Sequence, residues 1–509
     1  MPNGNQLMVN QMHLLKTNDA IRGTVATGFP AVLRSLAGDS TQYLLGLVLI
    51  GAANMILLPL YTRYLSPSDF GRYALVEVLV LGLISVSGLG VNVSYLKWFA
   101  ESDSGHTPVL LGTMLVANGC AALAAGLGLW VFAASGPSAR SLGGETAGFA
   151  SLFLPLVFLE TLQSAFLAHL RARRKAFAFS LTSGIRLVSI AAFSIWLVAG
   201  RSEGLRGVFA GRVLGDICGL LAMAAYSVTD LRIRFSGRIA YAMTAYGLPV
   251  MGGSLLTMAL DGSGRFFLNH YSNLEQVGLY AVAIKISGVM RMLVVYPFVT
   301  AWGGLIFQIA QKPGARLIYS KIMSYVLVLS VAIALAFSLL SPFFLRLLAT
   351  KEYSGSLSVV PWLFLVQAVM ILQHPYSVGI YLACATNWLL PIYASGIAVN
   401  LILNRALAPR YGMLGVAWSW LGAWIVITIL MSCVGQHYYA VRYEYKPLMI
   451  SLGLCGLVFL GIAALPEFPR VQGLIFLSVF SVLIVACAAV YLYLDVRRTR
   501  TEFETRGTN

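Results

Sequence analysis

Long apolar segments alternate with short polar ones along most of the chain. Many of these segments run for about 20 residues, the length that an α-helix needs to cross a hydrocarbon core of about 30 Å. They are continuously apolar and lack the apolar–polar alternation that is typical of membrane β-strands. We therefore predict about fourteen membrane-spanning helices. Their predicted bounds are 41–63, 72–95, 108–133, 149–169, 178–199, 205–229, 240–262, 277–305, 319–340, 356–381, 388–407, 412–436, 446–464 and 471–494.

Two stretches indicate an internal repeat: YTRYLSPSDFGRYA at 61–74 and LNHYSNLEQVGLYA at 268–281. Each lies at the outer turn before an even-numbered span, and six spans separate the two. The identical positions are Tyr64/Tyr271, Gly71/Gly278, Tyr73/Tyr280 and Ala74/Ala281. An even number of spans gives both copies the same direction in the membrane. The repeat therefore predicts two six-helix lobes in parallel orientation, as in many secondary transporters.

Both stretches also contain the pattern of a helix capping box. A residue with a short polar side chain stands three positions before a polar partner, Ser66 before Asp69 and Asn273 before Gln276. Such side chains accept hydrogen bonds from the free N–H groups of a helix start. We therefore predict that a helix begins at each site.

The spans and the repeat together predict an all-α polytopic membrane protein, with two six-helix lobes in parallel repeat and two further C-terminal helices. A cavity between the lobes is expected to open to either side of the membrane. The predicted parts are a cytoplasmic segment (1–40), an N-lobe of spans one to six (41–229), a C-lobe of spans seven to twelve (240–436), spans thirteen and fourteen (446–494) and a cytoplasmic tail (495–509).

Composition agrees with a membrane protein. Of the 509 residues, 58% are apolar and 11% charged, and the mean hydropathy is +0.80, whereas soluble domains have about 45–50% apolar and about 25% charged residues. The formal net charge of +16 is spread over this apolar chain, so no basic domain for nucleic acid is expected. The cysteines lack metal-ligand spacing, and we expect them to be reduced, with no metal or cofactor. They are Cys120, Cys218, Cys384, Cys433, Cys455 and Cys487.

The distribution of Lys and Arg predicts the orientation in the membrane. Residues 1–40 lack the features of a cleaved signal peptide, so the amino terminus is expected in the cytoplasm. With that orientation, and with residues at the ends of spans counted with the adjacent side, 20 Lys and Arg residues lie on the cytoplasmic side, 11 lie outside and 4 lie deep within spans. This excess fits the positive-inside rule and predicts that both termini are cytoplasmic.

Ionisable residues inside the predicted spans are candidate functional residues. A charge at mid-bilayer costs about 2.5 kcal/mol or more, so such a side chain faces protein, water or a ligand. Aromatic residues at span ends, such as Tyr61 and Tyr73, are expected at the lipid interface. The intramembrane ionisable residues are Glu77, Glu160, Arg186, Arg212, Asp216, Asp261, Lys285 and Arg291.

Sequence spacing indicates different partners for these charges. Arg212 and Asp216 are spaced i, i+4 and are expected to pair with each other. Lys285 and Arg186 have no acid nearby on their own helix, so each requires an acid on another helix, with Glu160 as the candidate, or an anionic ligand. Two further acids are expected to be partly wetted near the outer interface, namely Glu77 and Asp261.

The segments 57–95 (LLPLYTRYLSPSDFGRYALVEVLVLGLISVSGLGVNVSY) and 277–301 (VGLYAVAIKISGVMRMLVVYPFVTA) resemble the polysaccharide transporters of the multidrug/oligosaccharidyl-lipid/polysaccharide flippase superfamily. Span count and the six-plus-six layout extend this resemblance over the chain. Similar proteins commonly have an Asp-Arg pair where this chain has Gly264 and Arg265, with Asp261 one turn earlier. The role of the Arg therefore carries over to Arg265, whereas that of the Asp does not transfer.

The resemblance implies a function. Similar proteins move an oligosaccharide carried on undecaprenyl diphosphate from the inner to the outer leaflet of the bacterial cytoplasmic membrane, for O-antigen, capsule or exopolysaccharide synthesis, and are not enzymes. Expected partners are this lipid-linked substrate, membrane lipids, and a polymerase and chain-length regulator of the same pathway. The candidate substrate-binding cations are Arg186, Lys285, Arg291, Arg63 and Arg265. The candidate coupling or ion-pair acids are Glu160, Glu77, Asp261 and Asp216.

Three alternatives remain open at this point. Polytopic polymerases or ligases generally have a large outer loop with catalytic Arg or His, whereas the longest predicted outer loop, 134–148, has one Arg and no His. A drug or ion antiporter of the same superfamily shares the span layout but not the LSPSDFGRYA signature. A major facilitator would have G-x-x-x-D-R-x-G-R where this chain reads KWFAESDSGHT. Because no Gly-Lys pair is present, a phosphate-binding P-loop is not expected.

Overall fold

The structure, a computed structural model, describes residues 55, 57–101, 107–134, 150–231, 234–311, 314–442 and 453. Several predictions lie outside these residues: those for the segment 1–40, for most of span one, for spans thirteen and fourteen, and for the tail 495–509.

The described residues form α-helices joined by short turns, without any strand among them. We call α1–α7 the N-half and α8–α16 the C-half. The helices are α1 (Leu58–Tyr64), α2 (Pro67–Ser87), α3 (Val91–Glu101), α4 (Thr107–Ala134), α5 (Phe153–Ala172), α6 (Ala176–Ser194), α7 (Gly204–Tyr226), α8 (Gly237–Tyr271), α9 (Leu274–Met290), α10 (Tyr296–Ala310), α11 (Ala315–Leu339), α12 (Ser341–Leu348), α13 (Val360–Tyr376), α14 (Val378–Leu382), α15 (Leu389–Tyr411) and α16 (Met413–Tyr438). Short π-helical segments (Ile195–Gly200, Arg291–Val295) and 3₁₀ segments (Lys351–Ser358, Thr386–Trp388) complete them.

Eleven helical segments of the described chain are long and apolar enough to cross a membrane. They correspond to predicted spans two to twelve, so the all-α polytopic fold is confirmed, whereas the count of fourteen spans stays a prediction. One boundary differs by about nine residues and changes the position of a candidate residue. Span seven was expected to end at residue 262, but α8 continues to Tyr271 and carries Arg265 within the helix bundle.

Predicted span two, 72–95, is interrupted rather than continuous. Helix α2 ends at Ser87 and α3 begins at Val91. Between them, Gly90 has a φ of +64° and lies against Gly247 of α8, so close that a Cβ on Gly90 would be 2.0 Å from the Gly247 carbonyl oxygen. Glycine permits both the left-handed conformation and this approach of two backbones. The C-half has an interruption about one turn earlier in the register of the repeat, the π-helical segment Arg291–Val295.

The two predicted helix starts are confirmed. The Ser66 side chain accepts a hydrogen bond from the Asp69 N–H at 3.2 Å, and the Asn273 side chain accepts one from the Gln276 N–H at 2.9 Å. We call the end of the molecule where α2 and α9 begin the capped end.

Helices α2 and α9 cross at the capped end through two glycines that the repeat makes equivalent. A Cβ on Gly71 would lie 2.0 Å from the carbonyl oxygen of Leu274, and one on Gly278 would lie 1.8 Å from that of Pro67. Any side chain at either position would therefore force the helices apart, as expected for small residues at close helix crossings in membranes.

Further contacts join the halves at the capped end. The Thr350 hydroxyl donates to the Thr62 carbonyl at 3.1 Å, and the Tyr353 hydroxyl donates to the Leu65 carbonyl at 2.9 Å. Burial raises the pKa of Tyr353, so its hydroxyl remains a hydrogen-bond donor at neutral pH. The N-half and C-half are therefore in direct contact at this end.

The halves also touch at the opposite end of α2. There, the Ser94 hydroxyl donates to the Met243 carbonyl at 2.6 Å. The rings of Trp98 and Tyr246 pack edge to face, with their centres 5.6 Å apart. The contacts at the two ends leave space between them, and the main cavity occupies that space.

Candidate functional site

A cavity of about 450 Å³ lies between α2 of the N-half and α8, α9 and α16 of the C-half. Its charged lining residues are Glu77, Asp261, Arg265, Lys285 and Arg291. Three cations and two carboxylates give these residues a formal net charge of 3 − 2 = +1. The cavity therefore suits an anion better than a cation.

Glu77 is the partner that Lys285 requires. The Lys285 Nζ donates to Glu77 Oε1 at 3.2 Å, across the interface between the two halves. The expectation that Glu160 pairs with Lys285 was therefore wrong. Glu77 was also expected to be partly wetted, but only 7% of it is exposed, because α2 places it against α8 and α9.

Arg265 lies in the same part of the cavity wall. Its Nη1 donates to the Ala74 carbonyl of α2 at 3.0 Å and lies 3.8 Å from Glu77 Oε2. Only 8% of the residue is exposed, and its Nε has no hydrogen-bond acceptor among the described residues. Arg265 therefore retains an unused, buried donor beside the cavity.

Arg291 forms a separate polar group within the C-half. Its Nη1 lies 3.2 Å from Asp261 Oδ2, and its Nε donates to Gln367 Oε1 at 3.0 Å. Its guanidinium is 5.9 Å from the ring centre of Trp420, which also lines the cavity. This corner of the cavity combines a cation, hydrogen-bonding groups and an aromatic face.

Arg186 lies elsewhere, beside a smaller cavity of about 180 Å³ inside the N-half. Its Nε is 2.7 Å from Asp216 Oδ1, and its Nη2 is 3.3 Å from Glu160 Oε1. Glu160 also accepts a hydrogen bond from Arg212 Nε at 2.6 Å. The expectation of Glu160 as a partner of Arg186 is thus confirmed, and Arg186 does not line the main cavity.

The predicted pairing of Arg212 with Asp216 within one helix was wrong, because both side chains pair with residues of other helices. Helix α7 presents glycines to α6, and a Cβ on Gly219 would be 2.8 Å from the Cβ of Arg186. This close packing brings Arg186 to Asp216, and Arg212 turns to Glu160 on α5 instead. Helix contact therefore decided the pairing over local spacing.

Tyr73 was expected in the interfacial belt, but it is only 3% exposed. Its hydroxyl donates to Glu77 Oε1 at 3.0 Å, and its ring contacts the smaller cavity. The i, i+4 spacing of Tyr73 and Glu77 was the available signal for this contact. Tyr61 is also buried, with its hydroxyl 3.4 Å from Ser194 Oγ.

The remaining candidate cation, Arg63, is exposed in the last turn of α1 at the capped end. It is not among the lining residues of either cavity. The structure therefore brings Arg265, Lys285 and Arg291 together and leaves Arg186 and Arg63 apart from them. Within the described residues, no three His, Cys, Asp or Glu side chains form a metal-binding group.

An apolar cleft of about 530 Å³ adjoins the main cavity between α2, α4 and α8. Val78 and Met258 belong to the walls of both spaces. The rest of the cleft is also apolar, with Leu129 and Leu255 in its lining. A charged cavity and an apolar cleft thus meet at one place.

Comparison with known proteins identifies the family. A family model described as "Polysaccharide biosynthesis protein" matches residues 37–310, which is more than half of the chain. The succinoglycan biosynthesis transport protein ExoT of Rhizobium meliloti (strain 1021) is 24% identical over 250 residues. This match covers 47% of the present chain and 47% of ExoT, so it spans about half the length of that relative.

Solved structures share the fold. Lipid II flippase MurJ in an inward closed conformation superposes with a TM-score of 0.71 at 13% identity, over 90% of this chain and 99% of that chain. An inward-facing multidrug resistance MATE family transporter of the MOP superfamily gives a TM-score of 0.56 at 16% identity, over 81% of this chain and 96% of that chain. The chain therefore belongs to the polysaccharide biosynthesis protein family, as its resemblance to polysaccharide transporters predicted.

Proposed function

We propose that the chain is a flippase that moves an oligosaccharide linked to undecaprenyl diphosphate from the inner to the outer leaflet of the bacterial cytoplasmic membrane. The product would serve O-antigen, capsule or exopolysaccharide synthesis. The observation that carries the proposal is the cavity with Arg265, Lys285 and Arg291 in its wall, next to an apolar cleft. A lipid-linked diphosphate has both an anionic group and an apolar chain, so it matches both spaces.

In this proposal the cations of the main cavity bind the diphosphate. Guanidinium and ammonium groups form short, charge-assisted hydrogen bonds to phosphate oxygens, and these bonds are strong where water is scarce. Lys285 and Arg265 lie together around Glu77, whereas Arg291 lies beside Trp420. The aromatic face of Trp420 would stack on a sugar, with Arg291 and Asp261 as hydrogen-bonding neighbours.

Transport would proceed by alternating access, with the N-half moving against the C-half. Under the predicted topology, the capped end faces outward and both termini face the cytoplasm. Arg63, exposed at that end, would contact the anionic group only after the capped end opens. Arg186, together with Glu160 and Asp216, would hold the N-half together. A polymerase and a chain-length regulator of the same pathway would receive the product.

The other functions fit the cavity less well. A cationic drug would meet an excess of positive charge in the wall formed by Arg265, Lys285 and Arg291. Polytopic polymerases or ligases generally have a large outer loop with catalytic Arg or His, whereas the longest predicted outer loop of this chain, 134–148, has one Arg and no His. The similarity to ExoT, a transport protein, and to MurJ, a flippase, supports transport.

The test removes one cavity cation at a time. Lys285→Gln and Arg291→Gln should each lower glycan export by about tenfold, because one hydrogen bond to a charged group contributes roughly 1.5 kcal/mol. Export is measured as surface polysaccharide in a deletion strain that carries each variant, with the amount of protein in the membrane determined in parallel.

The control variant is Arg346→Gln, which removes an exposed positive charge on α12 outside both cavities. It should export glycan as the unaltered protein does. Full export by Lys285→Gln and Arg291→Gln at normal protein levels, or an equal loss in Arg346→Gln, would refute the assignment of the binding cations.

A further inference from the structure

Glu77 forms ion pairs with Lys285 and Arg265 across the interface between the two halves. Its carboxylate belongs to α2 of the N-half, whereas Lys285 on α9 and Arg265 on α8 belong to the C-half. By contrast, Arg186 and Asp216 both belong to the N-half. The contacts of Glu77 with Lys285 at 3.2 Å and with Arg265 at 3.8 Å must therefore break whenever α2 separates from α8 and α9.

The Glu77 carboxylate lies beside two cations that a phosphate group would bind: it accepts a hydrogen bond from Lys285 and forms an ion pair with Arg265, whose Nη1 donates to the Ala74 carbonyl. Its two oxygens face Lys285 Nζ and Arg265 Nη1, and all three side chains are mostly buried in the cavity wall. The unused Nε of Arg265 adds a donor that Glu77 does not satisfy. A diphosphate has more acceptor oxygens than a carboxylate and can serve both cations at once.

Glu77 has partners within its own half as well. The Tyr73 hydroxyl donates to Glu77 Oε1 at 3.0 Å, and Arg212 lies close enough to interact with Glu77 electrostatically. If a diphosphate took over Lys285 and Arg265, Glu77 would keep these two neighbours. Glu77 would then not be left as an unpaired buried charge, which would be strongly destabilising.

The ion pair lies close to the helix crossing at the capped end. Glu77 follows Gly71 by six residues and Lys285 follows Gly278 by seven, so both lie within about two turns of the crossing. Among the described residues, Glu77 is the only carboxylate in an ion pair with Lys285 or Arg265. Opening the capped end without a ligand would therefore separate both cations from their carboxylate partner.

We propose that Glu77 is an internal substitute for the diphosphate of the substrate, an inference that rests on the proposed function. In the empty cavity, Glu77 holds Lys285 and Arg265 and keeps the capped end closed. A bound diphosphate takes over both cations, Glu77 stays with the N-half, and α2 separates from α8 and α9. The ligand shifts the equilibrium because it compensates the two cations in the open state, where Glu77 no longer reaches them.

The test measures opening of the capped end in the full chain in lipid nanodiscs, with the native cysteines replaced. Spin labels are attached to cysteines that replace Ser68 and Glu275. These two positions are equivalent in the repeat, and their replacement leaves both helix caps intact. Farnesyl diphosphate is the probe. In the unaltered protein, it should increase the population of long distances between the labels. Glu77→Gln should do the same without ligand, by on the order of twofold or more.

Asp261→Asn is the matched control, because it also removes one carboxylate from the cavity. Its partner Arg291 lies in the same half, so the variant should leave the distances unchanged when no ligand is present. Unchanged distances in Glu77→Gln, or equal lengthening in both variants, would overturn the proposal.

Affinity measurements separate this inference from the proposed function. If Lys285→Gln binds farnesyl diphosphate as tightly as the unaltered protein does, the binding site of the proposed function is wrong. If binding depends on Lys285 but farnesyl diphosphate does not lengthen the distances in the unaltered protein, only the role of Glu77 is wrong. This second measurement decides the question even if Glu77→Gln fails to fold.

Discussion

Arg186 shows what a positive charge inside this helix bundle requires. Its guanidinium contacts Asp216 at 2.7 Å and Glu160 at 3.3 Å. Asp216 is fully buried, and its Oδ2 has no hydrogen-bond donor among the described residues. Arg186 therefore compensates two carboxylates on two neighbouring helices, and its main role in this arrangement is structural.

We predict that Arg186→Ala destabilises the protein by about 3–5 kcal/mol, because it leaves the Asp216 carboxylate buried without its cation. The melting temperature of the purified protein and its amount in the membrane should both fall. A purely substrate-binding role of Arg186, for which the sequence made it a candidate, would instead predict impaired export at normal protein levels. Thermal unfolding in detergent and immunoblots of membranes provide the measurements.

The double variant Arg186→Ala with Asp216→Asn removes the stranded charge and should recover part of the lost stability. The exposed residue Arg346, changed to Ala, serves as the control and should leave the melting temperature unchanged. A normal melting temperature for Arg186→Ala would contradict the structural role and return this residue to the candidate ligand contacts.

At the scale of elements, glycine determines how closely α2 and α9 approach each other. At Gly71 and Gly278, each helix meets a backbone carbonyl of the other, without room for a Cβ. The backbones at Gly90 and Gly247 are similarly close at the other end. Close approach of two backbones through glycine therefore occurs at both ends, in addition to the side-chain contacts of Tyr353 and of Trp98 with Tyr246.

We predict that Gly71→Ala weakens the closed capped end. The added methyl group would lie 2.0 Å from the Leu274 carbonyl oxygen, so the helices must move apart, at a cost of about 1–3 kcal/mol. Disulfide formation between cysteines at positions 66 and 273 should become slower. Gly184→Ala on α6 is the control, because nothing lies within 4 Å of its Cβ. Equal cross-linking rates in Gly71→Ala and the unaltered background would count against this geometry.

At the scale of the whole molecule, the cavity lies between two contacts that join the same two halves. The capped end closes through the crossing of α2 and α9, and the opposite end through α3 and α8. In the proposed function, a substrate with a large polar head would pass only if these contacts break in turn. Movement of the halves is therefore the event that a covalent link should prevent.

We predict that a disulfide between cysteines at positions 66 and 273, in a background without the six native cysteines, blocks glycan export. The link would hold the starts of α2 and α9 together and keep the capped end closed. Reduction should restore export. Each single-cysteine variant, treated with the same oxidant, is the control. Undiminished export with a fully formed cross-link would eliminate opening of the capped end as a step of transport.

The sequence predicted those features that depend on local pattern. Apolar length located spans two to twelve, and the capping spacing located the starts of α2 and α9. It also singled out the charged residues that line the main cavity, because charges are rare in lipid-spanning segments and stand out by type alone, although Arg186 and Arg63, which were predicted with them, lie elsewhere. The pairings were less predictable. Glu77 and Lys285 are 208 positions apart, and no local rule relates them.

What the sequence determined by itself is therefore the membrane fold, the helix starts and the set of candidate charges, since each follows from burial in lipid and from backbone hydrogen bonding within a few residues. Tertiary structure alone decided which charges meet. The glycine contacts between helices brought Arg186 to Asp216 and Lys285 to Glu77, and they overrode the i, i+4 spacing of residues 212 and 216. The physical reason is that a buried charge pairs with the nearest opposite charge in space, and helix packing sets that distance.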